Sequence, residues 1–384
     1  MKIALVTRSL PCHIDGGLEY HTIGLAQGLK DAGHQVTLIT TQLPDNYRGV
    51  QYELNIVFLK NTVPGKYSYN FFRELRNYLV TRHDLDIIHT QGFSGLALAL
   101  YPLKIPMVST IHGTLTSETS LNYQTSLSDI WAYRKRIILT PLYHQLIKKS
   151  DGLIFDSNYS RDEVFNDQNF NFPKSKVIYL GIDINRFQPM DRKDVNEHLK
   201  MDEMFTVFTV GRITKTKGIQ VLLEAAQSLS HLPIRWIIGG DGPYRDYYQN
   251  MANEKNLSNV VFTGRLKLEE LPYFYNAADI FVFPDMTSPA FGLVAVEAMS
   301  CGVPVIASRA GAMPEVIPSD SGFLFDRGDS KALSWLVNYL YENPTLRTDL
   351  ALNARIHSQR KYNQDRMVQE TIGFYERVLS GETL

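Results

Sequence analysis

The chain has 384 residues, of which 44% are hydrophobic and 21% charged, and its formal net charge at pH 7 is -1. This length and composition predict two α/β domains, and a nearly neutral chain gives no indication of a nucleic-acid partner. The two cysteines, Cys12 and Cys301, are too few and too distant for a disulfide framework or a zinc site. The first residues predict a strand and no signal peptide, and no apolar stretch reaches membrane-spanning length. We therefore expect a cytoplasmic protein.

The chain opens with a predicted βαβ unit. Its strand Ile3–Thr7 is followed by a helix over Gly17–Asp31 and a second strand over Gln35–Ile39. Gly16 and Gly17 stand at the helix entrance, where glycines either let the backbone approach a ligand or form a plain turn. This is not the dinucleotide fingerprint, because no Gly-x-Gly-x-x-Gly follows the strand.

Further strands recur at intervals long enough for crossover helices, which indicates parallel pairing. They cover Ile56–Leu59, Ile87–His89, Met107–Ile111, Leu153–Phe155 and Val177–Tyr179. His112 follows one of these strands, at the edge where α/β proteins bind ligands, so a structural and a functional role both stay open. Asp84 and Asp86 resemble a metal-binding Asp-x-Asp pair, but they precede their strand and thus lie at the wrong edge of a parallel sheet. We predict no metal site there.

A basic and aromatic segment runs from Trp131 to Lys149. A peripheral contact with a membrane through this segment is one interpretation. A solvated helix face whose long side chains cover the core is the other.

The second half of the chain repeats the alternation of strands and helices. Its predicted strands are Thr206–Val210, Trp236–Ile238, Val260–Thr263, Ile280–Phe283 and Pro304–Ala307, with a helix over Ile219–Ser228. Beyond Phe325 the chain reads as helical. The predicted domains are residues 1–185, residues 186–362, and a C-terminal helix over 363–384 that crosses back to the first domain.

A loop of small residues after strand Ile280–Phe283 leads into a helix predicted to begin near Phe291. The unpaired N–H groups and positive dipole end of such a helix favour an anion, and we expect a phosphate there. Arg212 and Lys217 follow another strand and bring two cations to the same edge, a pair that suits a diphosphate. Glu297 lies two turns into the helix among apolar residues, so we expect hydrogen-bond donors around its carboxylate.

Several short motifs occur in the order in which they occur in one known family. They are Gly16-Gly17, His112-Gly113, Gly211-Arg212 with Lys217-Gly218, Gly239-x-Asp241-Gly242-Pro243, Phe291-Gly292-Leu293 with Glu297-Ala298-Met299, Gly302-x-Pro304-Val305, and Gly311 with Glu315. Over nearly its whole length the chain thus resembles the retaining glycosyltransferases of family four. The resemblance implies the α/β GT-B fold, in which two Rossmann-like parallel-sheet domains face each other across a cleft. It also implies a nucleoside-diphosphate sugar of the UDP or GDP type as donor, a glycan or lipid-linked acceptor, and no metal or other cofactor.

The resemblance also implies residue roles. Arg212 and Lys217 would bind the diphosphate and His112 the donor sugar, and these three form the expected catalytic set. Glu297 would bind the ribose and Arg265 would lie near the base. The expected donor-binding set is Gly16, Gly17, Gly211, Gly242, Arg265, Phe291, Gly292, Leu293 and Glu297. The implied reaction is transfer of a hexose-type sugar on the front face of the donor, with retention of configuration.

The chain departs from the family pattern at Pro289, where a second glutamate is usual, and at Ala290, where a glycine is common. Proline offers no side-chain acceptor and no N–H, so the hydrogen bonds to the donor sugar must differ from the family pattern. The exception would be that Asp285, Thr287 or Ser288 makes the contact instead. Donor hydrolysis that releases free sugar, or weak activity, is therefore an alternative. A phosphorylase-like enzyme with a pyridoxal lysine and a non-catalytic nucleotide-sugar-binding protein are the rivals from other classes.

Overall fold

The computed structural model describes residues 1–14, 16–45, 47, 49, 52–113, 140–166 and 174–381. The chain forms two compact units, Met1–Gly181 with Gln364–Leu384, and Ile182–Asn363, which we call unit 1 and unit 2. Of the basic and aromatic segment, residues 131–139 lie outside the described residues and residues 140–149 are helical. No helix in the described part of the chain is long and apolar enough to cross a membrane.

Unit 1 is built on a seven-stranded parallel sheet in the order β3-β2-β1-β4-β5-β6-β7. Its strands are β1 (Lys2–Val6), β2 (Gln35–Thr41), β3 (Asn55–Leu59), β4 (Ile87–Gln91), β5 (Met107–Ile111), β6 (Gly152–Phe155) and β7 (Ser175–Val177). The central strand β1 has a neighbour on each side, since Ile3 lies opposite both Val36 and Ile87. The described helices that join these strands are α1 (Gly17–Asp31), α2 (Tyr69–Val80), α3 (Leu96–Leu100), α4 (140–149) and α5 (Asn158–Asn166).

The C-terminal helix, Gln364–Ser380, belongs to unit 1 and packs on α1. Two glycines one turn apart on α1 allow this approach. A Cβ atom on Gly24 would stand 2.6 Å from Oε1 of Gln364, and one on Gly28 would stand 2.4 Å from Cγ2 of Val368. The sequence therefore leaves room on α1 for a helix that lies more than 330 residues further along the chain.

Unit 2 has a six-stranded parallel sheet in the order β10-β9-β8-β11-β12-β13. The strands are β8 (Phe205–Val210), β9 (Ile234–Gly239), β10 (Val260–Gly264), β11 (Ile280–Phe283), β12 (Val305–Ser308) and β13 (Gly322–Phe325). Its described helices are α6 (Arg192–Leu199), α7 (Ile219–Ser228), α8 (Arg245–Glu254), α9 (Leu271–Asn276), α10 (Leu293–Ser300), α11 (Met313–Val316), α12 (Ser330–Glu342) and α13 (Pro344–Lys361). Trp236 and Leu340 are fully buried in its core.

The prediction of two Rossmann-like parallel-sheet domains is confirmed. Some element bounds differ. The strand predicted at Val177–Tyr179 lies at Ser175–Val177, because β6 pairs with it from Ser175 onward. The helix predicted to begin near Phe291 begins at Leu293, since Gly292 has a left-handed φ of 97° that no helix residue adopts.

Candidate active site

A pocket in unit 2 lies where the strand order of its sheet reverses. Strand β8 has β9 on one side and β11 on the other, and the carboxyl edge at such a point is where open α/β sheets bind ligands. The pocket is lined by the loops after β8 and β11 and by the end of β9, including Gly211, Arg212, Lys217, Gly239, Pro284 and Asp285. Arg212, Lys217 and Gly211 are therefore brought together, as the sequence predicted for groups that bind one diphosphate.

Lys217 is held by a buried carboxylate. Its Nζ pairs with Oδ2 of Asp285, a residue that is 1% exposed, and it lies 5.9 Å from the centre of the Phe283 ring. The other oxygen of Asp285 accepts the N–H of Thr287 at 2.8 Å. Asp285 therefore positions both the Lys217 amine and the backbone of Thr287. Sequence reasoning missed this pairing.

Arg212 is the second cation at the pocket. It is exposed, and no hydrogen bond or ion pair joins it to another residue in the described part of the chain. An unpaired guanidinium presents its fork of donors to an incoming anion without first breaking an internal contact.

Two helices begin at this edge of the sheet. Helix α7 starts after Gly218, whose φ is 68° and whose added Cβ would stand 1.8 Å from the carbonyl oxygen of Pro284. Helix α10 starts after Gly292, so the N–H groups of Leu293 and its successor open its first turn. The N–H of Met286 donates to the Thr216 carbonyl at 2.9 Å, which joins the two loops. Two cations and two helix N-termini at one sheet edge form an arrangement suited to phosphate groups.

Glu297 projects from α10 and is partly exposed. Its Oε2 accepts a hydrogen bond of 2.7 Å from the hydroxyl of Tyr275, which is fully buried. This tyrosine is the donor that the sequence led us to expect without naming it. Burial raises the pKa of Glu297 to about 7, while the Tyr275 hydrogen bond and the charge of Arg186 act in the opposite direction. The second oxygen, Oε1, has no hydrogen-bond partner among the described residues and is free to accept one from a ligand.

Three other residues of unit 2 were expected to bind the donor, namely Gly242, Phe291 and Arg265. A Cβ on Gly242 would stand 2.3 Å from the Ile213 carbonyl oxygen, so this glycine lets two loops pack together. The Phe291 side chain is 3% exposed, and its ring centre lies 5.4 Å from that of Tyr362, so only its backbone can face a ligand. Arg265 is exposed at the carboxyl end of β10.

In unit 1, His112 follows β5 and is anchored at both ring nitrogens. Nδ1 lies 2.8 Å from Oδ2 of Asp156, and Nε2 lies 2.5 Å from Oε1 of Gln91. These partners come from the carboxyl ends of the two neighbouring strands, β6 and β4. The ring is thus fixed in orientation, and sequence reasoning found neither partner because both depend on how the strands pair.

Two more histidines lie beside this group. His89 is hydrogen-bonded to Tyr375, and burial lowers its pKa to about 3, with the nearby His112 acting in the same direction. His21 has its ring centre 5.7 Å from that of His112, and burial holds its pKa well below the ordinary value. Both rings are therefore neutral at physiological pH.

The entrance of α1 contains a carboxylate. Gly16 caps the helix, and the Ser9 hydroxyl donates to Oε1 of Glu19 at 2.6 Å. A Cβ on Gly16 would stand 2.7 Å from Oε2 of this glutamate, which is 4% exposed. Gly16, which was predicted to approach a diphosphate together with Gly17, thus lies against the chain's own carboxylate in this structure, whereas Gly17 is exposed.

Comparison with known families decides what kind of protein carries this site. Residues 190–357 match the family described as glycosyl transferases group 1, and residues 15–186 match Glycosyltransferase Family 4. A glycosyltransferase of Methanocaldococcus jannaschii, MJ1607, is 30% identical over 98% of this chain and 98% of its own. The chain belongs to the family 4 glycosyltransferases.

Two further similarities are informative. The phosphatidylinositol N-acetylglucosaminyltransferase GPI3 subunit of Saccharomyces cerevisiae is 26% identical over 79% of this chain and 67% of its own. The structure of Anabaena HepE in complex with UDP-glucose superposes with a TM-score of 0.78 at 22% identity over the full length of both chains. This family 4 glycosyltransferase therefore has the GT-B fold.

Proposed function

We propose that this glycosyltransferase transfers a hexose-type sugar from a UDP- or GDP-sugar to a glycan or lipid-linked acceptor, with retention of configuration and without a metal ion. The observation that carries the proposal is the pocket of unit 2, where Arg212 and Lys217 lie at one sheet edge with the entrances of α7 and α10. HepE, which shares the fold, was crystallised with UDP-glucose, and the yeast relative is named for N-acetylglucosamine transfer to phosphatidylinositol. Both support a nucleotide-sugar donor, and the second supports a lipid-linked acceptor.

The chemistry follows from charge development. As the anomeric bond breaks, the diphosphate leaving group gains negative charge, which the two cations and the helix N-termini stabilise. Side-chain cations thereby do the work that a metal ion would otherwise do. As the family resemblance implies, the bond between the anomeric carbon and the diphosphate oxygen breaks while the acceptor hydroxyl attacks the same face of the sugar, and the departing phosphate oxygen takes the proton of that hydroxyl. The configuration is thereby preserved.

The nucleoside half would be bound by the remaining residues of unit 2. Oε1 of Glu297 accepts hydrogen bonds from the ribose hydroxyls, since Oε2 already accepts one from Tyr275. Arg265 lies beside the base, and the backbone N–H groups of Gly292 and Leu293 lie near the phosphate and the sugar. Exposure of Arg265 and the left-handed turn at Gly292 are compatible with these roles.

Residues 1–185 are proposed to form the acceptor-side domain, in which His112 contacts the donor sugar. Its two ring hydrogen bonds to Asp156 and Gln91 fix the orientation of the imidazole. Gly17 contributes backbone near the diphosphate, and Gly16 does so only if the Glu19 carboxylate moves or is neutralised there.

A second candidate function is hydrolysis of the donor to free sugar. The Pro289 carbonyl, which is the one hydrogen-bonding group of that residue, already accepts the Ala312 N–H at 2.9 Å. In addition, the hydroxyl of Ser288 accepts a hydrogen bond from Arg327 at 3.0 Å. This side of the loop therefore offers little to orient a sugar toward an acceptor, and water becomes a competitor.

The experiment is a screen of UDP- and GDP-sugars, with nucleoside diphosphate release, free sugar and acceptor product measured separately. Lys217→Ala and Arg212→Ala should each lower transfer by about one to two orders of magnitude, because each removes a charge-assisted contact worth roughly 1.5–3 kcal/mol. Lys193→Ala, an exposed lysine on α6, is the matched control and should leave transfer unchanged.

Each part of the proposal can fail separately. Unchanged donor kinetics in both pocket variants would refute the phosphate site. Loss of turnover in EDTA, restored by magnesium or manganese, would refute metal independence. Inverted configuration in the product would refute retention, and release of free sugar with every acceptor would favour hydrolysis.

A further inference from the structure

Four buried polar side chains lie together on one face of the unit 1 sheet. His89 and Gln91 alternate along β4 and so point to the same face, and Thr110 of the neighbouring strand β5 lies opposite Gln91. Tyr375 of the C-terminal helix packs there, with its ring centre 5.5 Å from that of His89. None of the four is more than 2% exposed. We call Tyr375, His89, Thr110 and Gln91 the polar row.

The hydroxyl of Tyr375 sets the tautomer of His89. It lies 2.5 Å from Nδ1 of His89, and no other hydrogen bond of this hydroxyl occurs among the described residues. Burial raises the pKa of Tyr375 well above its ordinary value, so the hydroxyl keeps its proton and, being buried, must donate it to Nδ1. Burial lowers the pKa of His89 to about 3, so its ring is neutral and carries its one proton on Nε2.

The second nitrogen of His89 connects the row to the next strand. Nε2 donates to Oγ1 of Thr110 at 2.6 Å, two residues before His112 in sequence. The His89 ring is therefore held by the C-terminal helix at one nitrogen and by β5 at the other. The amide nitrogen of Gln91 lies 3.4 Å from the same Nε2, so the fixed ring limits where this amide can move.

Gln91 passes this constraint on to His112. Its Oε1 lies 2.5 Å from Nε2 of His112, and Nδ1 of His112 lies 2.8 Å from Oδ2 of Asp156. The His112 side chain is 13% exposed and that of Asp156 is 2% exposed. The polar row thus begins in the last helix of the chain and leads to a histidine that solvent and ligands can reach.

We propose that Tyr375 and His89 are positioning residues that hold the Gln91 amide, and through it the His112 imidazole, in the orientation that contacts the donor sugar. The inference rests on the sugar contact proposed above for His112. It adds that the C-terminal helix takes part in recognition of the sugar, although Tyr375 lies 286 residues from His89 in sequence.

A purely structural role fits the polar row less well. A core tyrosine needs only one acceptor for its hydroxyl, and a backbone carbonyl serves for Tyr362 of unit 2, whose hydroxyl lies 3.1 Å from the Val316 oxygen. The acceptor of Tyr375 is instead a histidine ring that is tied to a second strand and lies against Gln91. Each member orients the next one, and buried hydrogen-bonded networks of this kind make the groups at their ends rigid.

The first test needs no donor. Ring nitrogen signals are recorded by magnetic resonance on the full chain labelled with nitrogen-15 at histidine, and are assigned by their loss in His89→Gln and His112→Ala. In the parent, His89 should show the tautomer with its proton on Nε2. Tyr375→Phe removes only the hydroxyl, so it should mix the two tautomers of His89 and shift the ring signals of His112.

The second test is a double-mutant cycle on transfer, with the UDP- or GDP-sugar that is most active in the screen described above. Tyr375→Phe should lower transfer by about three- to tenfold, the factor that corresponds to one buried hydrogen bond. In a His112→Ala background the same change should have almost no effect, because the side chain that Tyr375 positions is gone. Affinity for free UDP or GDP should be equal in all four proteins, since unit 2 is proposed to bind the nucleotide.

Tyr78→Phe is the matched control. Tyr78 lies on α2 of unit 1, and its hydroxyl accepts a hydrogen bond of 2.6 Å from Arg82. Loss of this hydroxyl should change neither transfer nor the ring signals of His112. Both tyrosine variants should keep a cooperative melting transition, which shows that they are folded.

Two outcomes would overturn the proposal. They are unchanged ring signals of His112 in Tyr375→Phe, and an equal loss of transfer from Tyr375→Phe in the parent and in the His112→Ala background. Failure of the sugar contact itself would look different. In that case His112→Ala would transfer sugar as fast as the parent, while Tyr375→Phe would still shift the His112 signals.

Discussion

At the scale of single residues, Lys217 has two roles that can be separated. Its amine lines the pocket, and it also neutralises Asp285, which is 1% exposed. Lys217→Met should therefore lower the free energy of unfolding by about 1–3 kcal/mol, since it leaves a buried carboxylate without its partner. It should also lower the rate of sugar transfer. Adding Asp285→Asn should recover part of this stability and none of the transfer. Urea denaturation of the two single variants and the double variant checks this, and additive losses would show that the pair is not coupled.

Glu297, the proposed ribose-binding residue, should reduce stability at neutral and alkaline pH. Its pKa is raised from 4.5 to about 7 by burial, so the folded chain retains a proton that the unfolded chain releases between these values. The stabilising contribution of this group is thus complete below about pH 4.5 and is lost as pH rises through about 7. Glu297→Gln is neutral at every pH, so its stability relative to the parent should be higher at pH 8 than at pH 5. Denaturation curves of both proteins at the two pH values provide the measurement.

The same variant should bind nucleoside diphosphate more weakly than the parent, because the amide loses the charge that strengthens a ribose contact. If the difference in stability between Glu297→Gln and the parent does not change with pH, the Glu297 carboxylate is not desolvated in solution. Unchanged nucleotide affinity by calorimetry would make Glu297 a structural residue.

At the scale of elements, the entrance of α7 depends on a glycine. Gly218 has a φ of 68°, and an added Cβ would lie 1.8 Å from the Pro284 carbonyl oxygen. Gly218→Ala should cost about 1–2 kcal/mol for the left-handed backbone alone, plus the displacement of the loop that carries Asp285. Both the stability of unit 2 and sugar transfer should fall.

Gly373→Ala is the control for this substitution. Gly373 lies within the C-terminal helix with no atom near its Cβ position, so alanine should stabilise the helix by roughly 0.5–1 kcal/mol. Thermal melts of the two variants should therefore shift in opposite directions. Equal melting temperatures for Gly218→Ala and the parent would show that the loop yields without cost.

The elements predicted best from sequence are those with a clear hydrophobic periodicity and a clear terminating residue. Helices Gly17–Asp31 and Ile219–Ser228 and strand Ile280–Phe283 have the bounds that their patterns predicted. Strand β13 was not predicted, because it has four residues and a neighbour on one side only. Short edge strands leave a weak pattern, since few of their side chains are required to alternate.

The candidate site was predictable in part, for a different reason. Glycines and cations after strands are visible in sequence, whereas the partners that fix the candidate side chains come from distant positions. Tyr275 and Glu297 are 22 residues apart, His112 and Asp156 are 44, and Lys217 and Asp285 are 68. Such pairs exist only after strands have paired, so no local pattern reveals them.

At the scale of the whole molecule, each unit has a hydrophobic core of its own among the described residues. Unit 2 has its own cluster around Trp236 and Leu340. The core of unit 1 combines Ile3 and Leu25 from the start of the chain with Phe374 and Tyr375 from its end. The last helix is therefore as much a part of the unit 1 core as the first strand, although the residues of unit 2 separate the two in sequence.

This arrangement predicts that damage to the C-terminal helix is local to unit 1. Phe374 is fully buried, and its ring lies so close to Gly152 that a Cβ there would stand 2.8 Å from it. Phe374→Ala should cost roughly 3–5 kcal/mol through the cavity it creates. Hydrogen exchange should accelerate in strands β1 to β6 and stay slow in strands β8 to β12, and nucleoside diphosphate should still protect unit 2.

Leu340→Ala, in the core of unit 2, should produce the reverse pattern. Faster exchange in both units for either variant would show that the two cores unfold as one, and a truncation before Gln364 would then inactivate the enzyme by unfolding it completely.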